Sequence, residues 1–347
     1  MTRASTRLRR WILAAGMALA LTACGGGGSG TPAADSGAVD PPAVAADARN
    51  GTYTMVAANA REYALTVDFD AGTFSVSGDG VDQTGTFTVS GDEYSFLPGN
   101  ALGATGVNTT RFRYVNDTVV GTYATPDDVQ PFIAPRAFVT SIADAVGTYD
   151  LIARTIDLAG AMPDDRIRQG RITADGHLET CEAVDRIWTI DTCPAASIVS
   201  GTLTLAGNIF TATTPDDSFT FRVARIGDDR IFLRASAWGT DKRRFTVGMP
   251  EQGAFDPGSF VGGTSEAAWG ALTFDAKSIS FTGTASIGAA TTMTGTVFLA
   301  APIQKLAAVQ TADSGNFFVG QSSDLGVLFA ARGNPVLPGF VAIGVRQ

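Results

Sequence analysis

Leu65-Thr66-Val67-Asp68-Phe69, then Asp70-Ala71-Gly72, then Thr73-Phe74-Ser75-Val76-Ser77 is the stretch that decides the fold. Both runs alternate apolar and polar residues with period two, which lays one face of a strand on a core and leaves the other in water. The Asp-Ala-Gly between them is turn chemistry, so the stretch predicts an antiparallel hairpin. The rhythm continues outward. Residues 85–89 and 93–96 flank Ser90-Gly91-Asp92, and 111–115 and 118–123 flank Asn116-Asp117. Little of the chain carries helical periodicity, and the expected fold class is all-β, built of antiparallel meanders.

The meander also recurs. Gly51-Thr52-Tyr53 opens one unit, Gly147-Thr148-Tyr149 a second and Gly258-Ser259-Phe260 a third. Thr84-Gly85-Thr86-Phe87-Thr88-Val89 parallels Ser200-Gly201-Thr202-Leu203-Thr204-Leu205. Phe112-Arg113 is echoed by Phe221-Arg222, and Val67-Asp68-Phe69-Asp70-Ala71 by Leu272-Thr273-Phe274-Asp275-Ala276. Ordered recurrence at a spacing of roughly 90–110 residues marks an internal repeat. The expected units are 50–146, 147–256 and 257–347, each with six to eight short strands. A meander of about eight strands must hide its edges, and closure into a small barrel does so. Three small barrels in tandem, or a barrel paired with a sandwich, both satisfy the pattern.

The N-terminus reads differently. Four arginines and no acid among the first ten residues, followed by the apolar run 11–23, form the charged and hydrophobic regions of a signal peptide. At 13 residues the run is shorter than the roughly 20 a spanning helix needs. Leu21-Thr22-Ala23-Cys24 resembles the bacterial lipobox, Leu-x-Ala/Gly-Cys. That resemblance implies removal of residues 1–23 and acylation of Cys24, with more than one chain and hence a stable membrane anchor. Gly25 stands where an inner-membrane retention aspartate would stand, which by the same resemblance implies the outer membrane, on either face. Residues 24–49 are then the lipidated cysteine and a Gly/Ala/Pro tether with an r.m.s. span of roughly 25–30 Å.

With Cys24 taken by lipid, Cys181 and Cys193 are left as a pair. In the oxidising compartment that export implies, they are expected to form a structural disulfide across the hairpin-like segment 180–193. No C-x-x-C spacing or ligand cluster points to a metal or redox role.

The chain carries 25 basic and 34 acidic residues, a net charge of −9. Losing the four signal-peptide arginines leaves 21 basic residues against 34 acids, a mature net charge of −13. Such a surface excludes nucleic acid as a partner, because a phosphate backbone needs clustered Lys and Arg. It also leaves membrane attachment to the lipid rather than to a basic patch.

Motifs of catalysis are sparse. A Ser-His-Asp set would have to use His177, which follows the hairpin-turn pair Asp175-Gly176 and reads as a solvated turn residue. There is no Gly-x-Ser-x-Gly elbow and no zinc-type ligand spacing. Asp pairs at 127–128, 164–165, 216–217 and 228–229 are the remaining acid candidates, and the first three follow proline. They read as turn residues, since Pro presets φ and Asp bonds its own backbone. Glycosidase or calcium chemistry would need these carboxylates to converge. Trp188, Trp238 and Trp269 are candidates for stacking on a ligand or for half-buried packing.

In strand rhythm, at stretches such as 67–72 and Gly326-Val327-Leu328-Phe329, the body resembles the lipocalin-like and transferrin-binding-protein-like barrels of bacterial surface lipoproteins. That resemblance implies closed barrels and assigns no binding residue. The expectation is a non-enzymatic, lipid-anchored envelope protein with a binding or structural role. No catalytic residue, cofactor or metal is assigned; protein or glycan is the class of partner. Two alternatives stay open, an envelope hydrolase using Asp and Glu and a small-ligand carrier with a barrel lumen.

Overall fold

The computed structural model describes residues 45–347 apart from 98–109, 125–128, 160–163, 184–186, 252–254, 276, 286–289, 300–302, 304–305, 312–314, 332–333 and 335–336. The expected signal peptide 1–23, Cys24, the expected tether as far as residue 44 and the pair Asp127-Asp128 lie outside the described residues.

Residues 46–347 form one compact unit of three closed barrels, each an eight-stranded antiparallel meander. The first comprises β1 (Gly51–Ala57), β2 (Arg61–Asp68), β3 (Thr73–Gly78), β4 (Val81–Ser90), β5 (Glu93–Phe96), β6 (Arg111–Val115), β7 (Thr118–Ala124) and β8 (Val129–Pro135). After a helical turn α1 (Ile142–Ala145), the second runs β9 (Gly147–Asp157), β10 (Asp164–Ile172), β11 (His177–Cys181), β12 (Ile198–Ala206), β13 (Ile209–Thr213), β14 (Ser218–Ile226), β15 (Asp229–Trp238) and β16 (Lys242–Pro250). The third holds β17 (Gly258–Thr264), β18 (Ala268–Phe274), β19 (Ser278–Ala285), β20 (Ala290–Leu299), β21 (Leu306–Thr311), β22 (Gly315–Gln321), β23 (Leu325–Ala330) and β24 (Val341–Arg346). The first hairpin read from the sequence is β2–β3, with Asp68 opposite Thr73. The β6–β7 turn uses Asn116 and Asp117 at φ 42° and 59°, the left-handed pair that suits strand twist.

First and last strands pair in every barrel, which removes the open edges. The middle barrel closes with the longest seam, from Asp157 opposite Lys242 to Tyr149 opposite Pro250. The recurring segments of the sequence fall on same-numbered strands: 84–89 and 200–205 on the fourth, 112–113 and 221–222 on the sixth, 67–68 and 272–273 on the second. The opening Gly-Thr-Tyr has a structural role. Tyr149 is buried and its hydroxyl donates to the Ala145 carbonyl at 2.7 Å, and Tyr53 donates in the same way to the Arg49 carbonyl. In the third barrel the position is Phe260, which packs without a hydroxyl under the guanidinium of Arg346, 5.0 Å from its ring. An aromatic residue thus closes one end of each lumen.

Each lumen has its own core. Barrel one is filled by aromatic rings, among them Tyr94 stacked on Phe112 at 4.8 Å and Phe74 against Phe96 at 4.7 Å. Barrel three is filled by Phe260, Phe274, Phe317, Phe340 and aliphatic neighbours. A further apolar cluster lies between the barrels and draws on all three, including Val120 and Ile133, Leu233 and Phe245, Val327 and Phe329. Burying side chains of this size is worth about 1.5–3 kcal/mol each. So these strands are apolar on both faces, one toward a lumen and one toward a neighbouring barrel; β7, β8 and β23 are buried at every residue. Polar links rim the shared core. Trp269 Nε1 donates to Glu93, which also pairs with Arg111, and Asp229 accepts from the Ser323 amide and hydroxyl at 2.7 Å.

Candidate ligand-binding cavity

In the middle barrel one end of the lumen is packed and the other is not. Its closed end is a cluster of Tyr149, Leu178, Leu203, Phe210, Phe221 and Phe232. Beyond it lies a cavity of about 240 Å³, below the roughly 300–1,000 Å³ of drug-sized sites.

Strand β15 shows how the cavity arises. Period-two alternation sends Ile231 and Leu233 into the shared core, and Phe232 into the lumen. The same phase turns Arg234 and Trp238 onto the cavity wall. Counted from the preceding turn, Arg234 is the sixth residue of its strand. The sixth residue is Tyr123 in β7 and Ala330 in β23, both in the cores of their lumens. The neighbouring strand β16 adds Arg244 and Thr246, which sits opposite Arg234. Strand β10 contributes Arg168, and the floor is Leu151, Leu178 and Phe232.

The three arginines are held differently. Arg168 forms an ion pair with Glu182. Arg244 lies over Trp238, its Cζ 3.7 Å from the ring centroid, and its Nε donates to Thr155 Oγ1 at 3.2 Å. Arg234 is 4% exposed and makes no ion pair among the described residues. Its Nε donates to Ser236 Oγ at 2.8 Å and one terminal nitrogen to the Ala237 carbonyl at 3.2 Å, while Phe219 covers a face. Burial, and after it the positive charge of Arg244, push the Arg234 pKa down to about 9. A desolvated charge without a counter-ion is costly to keep.

Three acids also line the cavity: Glu182, Asp216 and Asp217. Glu182 is engaged by Arg168, and Asp216 and Asp217 line the rim. Thr214-Pro215-Asp216-Asp217 is a turn: the Thr214 amide donates to the Asp217 carbonyl at 2.8 Å and Thr214 Oγ1 accepts from the Asp217 amide at 3.0 Å. Asp164 and Asp165 open β10 opposite Thr155 and Arg154, and Asp229 tethers barrel three. Among the described residues no three His, Cys, Asp or Glu side chains gather as a metal site requires.

Cys181 and Cys193 form a disulfide, with Cα atoms 5.9 Å apart. It does not bridge paired strands. Cys181 ends β11, and Cys193 lies in the loop before a 3-10 turn at Ala195–Ser197, so the bond pins a loop to the barrel wall. Pairing resumes only where the Glu182 amide meets the Ser197 carbonyl at 2.8 Å. Trp188 packs on this disulfide with Ile190. Trp269 is buried between barrels and Trp238 alone of the three reaches the cavity. His177 opens β11, its Nδ1 3.4 Å from Ser200 Oγ, away from the cavity lining.

The cavity arginines were not among the residues singled out from the sequence. Their trace there is a charge on the apolar phase of a strand: Ile231-Phe232-Leu233-Arg234 puts Arg234 in step with Phe232. No family model matches the chain and no curated protein matches it. Among solved structures, the crystal structure of the DNA polymerase sliding clamp from Pseudomonas aeruginosa with ligand aligns over 87% of this chain and 93% of its own at 6% identity, and its TM-score of 0.13 carries no functional inference.

Proposed function

We propose that this chain is an exported lipoprotein, anchored through Cys24, that binds a small ligand in the lumen of its middle barrel without transforming it. The observation that carries the binding role is the 240 Å³ cavity inside a closed barrel whose opposite end is packed. Closed β-barrels offer such mouths as binding sites. The lipobox residues 21–24 support the anchor, and the acidic composition leaves attachment to lipid.

Two measurements test the reading. Membrane-fraction protein from the wild-type chain should carry added acyl mass that the Cys24→Ser chain lacks. The Cys24→Ser chain should show saturable thermal shifts with members of a mixed panel of small neutral, anionic and cationic organic compounds. Ala153 lines the cavity, and Ala153→Phe, which fills it, should abolish those shifts. Absence of acyl mass overturns the anchor. Shifts that survive Ala153→Phe, or none at all, overturn the lumen as the site.

A further inference from the structure

We infer that the middle-barrel cavity takes a small organic anion, a carboxylic or sulfonic acid with a compact apolar body, whose charged head pairs with Arg234; this rests on the lumen being the binding site.

Arg234 is a buried cation without a counter-ion among the described residues. It is 4% exposed, it lines the cavity, and among the described residues no carboxylate reaches it. Its Nε and one terminal nitrogen are used on Ser236 and Ala237, and among the described residues the second terminal nitrogen has no acceptor. Guanidinium presents a planar fork that suits a carboxylate or sulfonate. The described carboxylates nearby act on Arg234 only from beyond ion-pair distance: Glu182 is paired with Arg168, and Asp217 accepts from the Ser218 amide at 2.9 Å. Asp216 is exposed at the rim.

The position has no counterpart in the sibling barrels, where Tyr123 and Ala330 occupy it in packed lumens. A closed eight-stranded barrel therefore does not need a cation there to fold. The rest of the wall sets the body of the ligand. Leu151, Leu178 and Phe232 make an apolar floor where the cavity meets the packed end, and Phe219 an aromatic side against Arg234. An inorganic anion would meet Arg234 and leave that floor unmatched; a neutral apolar molecule would cover the floor and leave the charge unpaired. A compact amphiphilic acid satisfies both surfaces. The lowered pKa of Arg234 fits a site in which the cation is destabilised until an anion arrives.

Isothermal titration of the Cys24→Ser chain with benzoate, benzyl alcohol, benzylamine and inorganic phosphate separates the cases. Benzoate is expected to bind at least tenfold more tightly than the other three. Arg234→Met should weaken benzoate about ten- to hundredfold, the range of one charge-assisted hydrogen bond, and Arg234→Lys should keep part of the affinity. The melting temperature of Arg234→Met should equal or exceed that of the parent, because a buried unpaired charge is gone. Equal binding of benzyl alcohol and benzoate would leave the lumen as the site and overturn the anion. A phosphate preference would overturn the apolar body, and an Arg234→Met chain that melts lower yet binds benzoate normally would make Arg234 structural. Failure of every probe to bind would overturn this inference with the lumen reading beneath it.

Discussion

The Cζ of Arg234 lies 3.8 Å from the centroid of the Phe219 ring, a cation on an aromatic face contributed by the adjacent strand of the same barrel. The ring covers one side of the guanidinium and withholds water from it, so the remaining side and the cavity are where a counter-charge would enter.

That geometry sets the pH dependence of ligand binding. An anion pairs with the protonated guanidinium, whose pKa in the free protein is pushed down to about 9 by burial and by Arg244, against the opposing pull of Asp217 and Glu182. The charges that line the cavity with Arg234 are Arg244 from β16, Arg168 from β10, Glu182 beyond β11, and Asp216 and Asp217 before β14. Benzoate affinity is therefore expected to hold between pH 6 and 8 and to fall as pH rises through about 9. Titration calorimetry across that range checks it; affinity that stays flat to pH 10.5 would contradict the assignment.

Tyr149 closes the packed end of the same barrel. Its hydroxyl donates to the Ala145 carbonyl, and burial pushes its pKa up to about 12. The folded chain keeps the neutral phenol where the unfolded chain ionises near its ordinary 10, so the stability held by this residue is complete below pH 10 and declines between 10 and 12. Tyr149→Phe should cost about 1 kcal/mol and remove that part of the alkaline loss, read from urea denaturation at pH 7 and pH 11.

The disulfide holds the loop that leads to Glu182 and carries Trp188. Replacing Cys181 and Cys193 together by serine should cost about 3 kcal/mol and lower the melting point by several degrees. Trp188 emission should shift to the red, since its packing partner is lost. An unchanged melting point in the presence of reductant would show the loop to be self-supporting.

Phe245 of the middle barrel and Phe329 of the third stack at 5.9 Å in the core shared by all three barrels. Phe329→Ala should destabilise the fold by about 3–5 kcal/mol. Because the lost contacts lie between barrels and not inside one, calorimetry should show a single transition in the parent chain broadening or dividing in the variant. A variant that only shifts a sharp single peak would place the cooperative unit within each barrel.

Much of this architecture was legible before any coordinate. Period-two alternation is a local property, so runs such as 65–69 and 73–77 declare strands and their inward faces unaided. Turn residues declare where strands reverse, as at Asn116-Asp117. Gly-Thr-Tyr at 51–53 and 147–149 and Gly-Ser-Phe at 258–260 lie at the start of strands that begin at Gly51, Gly147 and Gly258. The disulfide pair was legible because the lipidation expected at Cys24 leaves two cysteines to each other; the loop it pins was not, since that depends on where β11 stops pairing.

The strand rhythm of 65–77 and its repetition thus determine by themselves that the chain is β, antiparallel and threefold, because spacing along a strand fixes which side chains share a face. Only the tertiary structure decided that every meander closes on itself, and that the outer faces of three barrels meet in one apolar core. Alternation says which face is buried without saying against what. The fate of Arg234 belongs to the same category. Its inward phase is written in Phe232-Leu233-Arg234, but its lack of an ion pair among the described residues depends on eight strands closing around it, with Glu182 paired to Arg168 and Asp216 and Asp217 at the rim. That is a property of the closed lumen, and no single strand carries it.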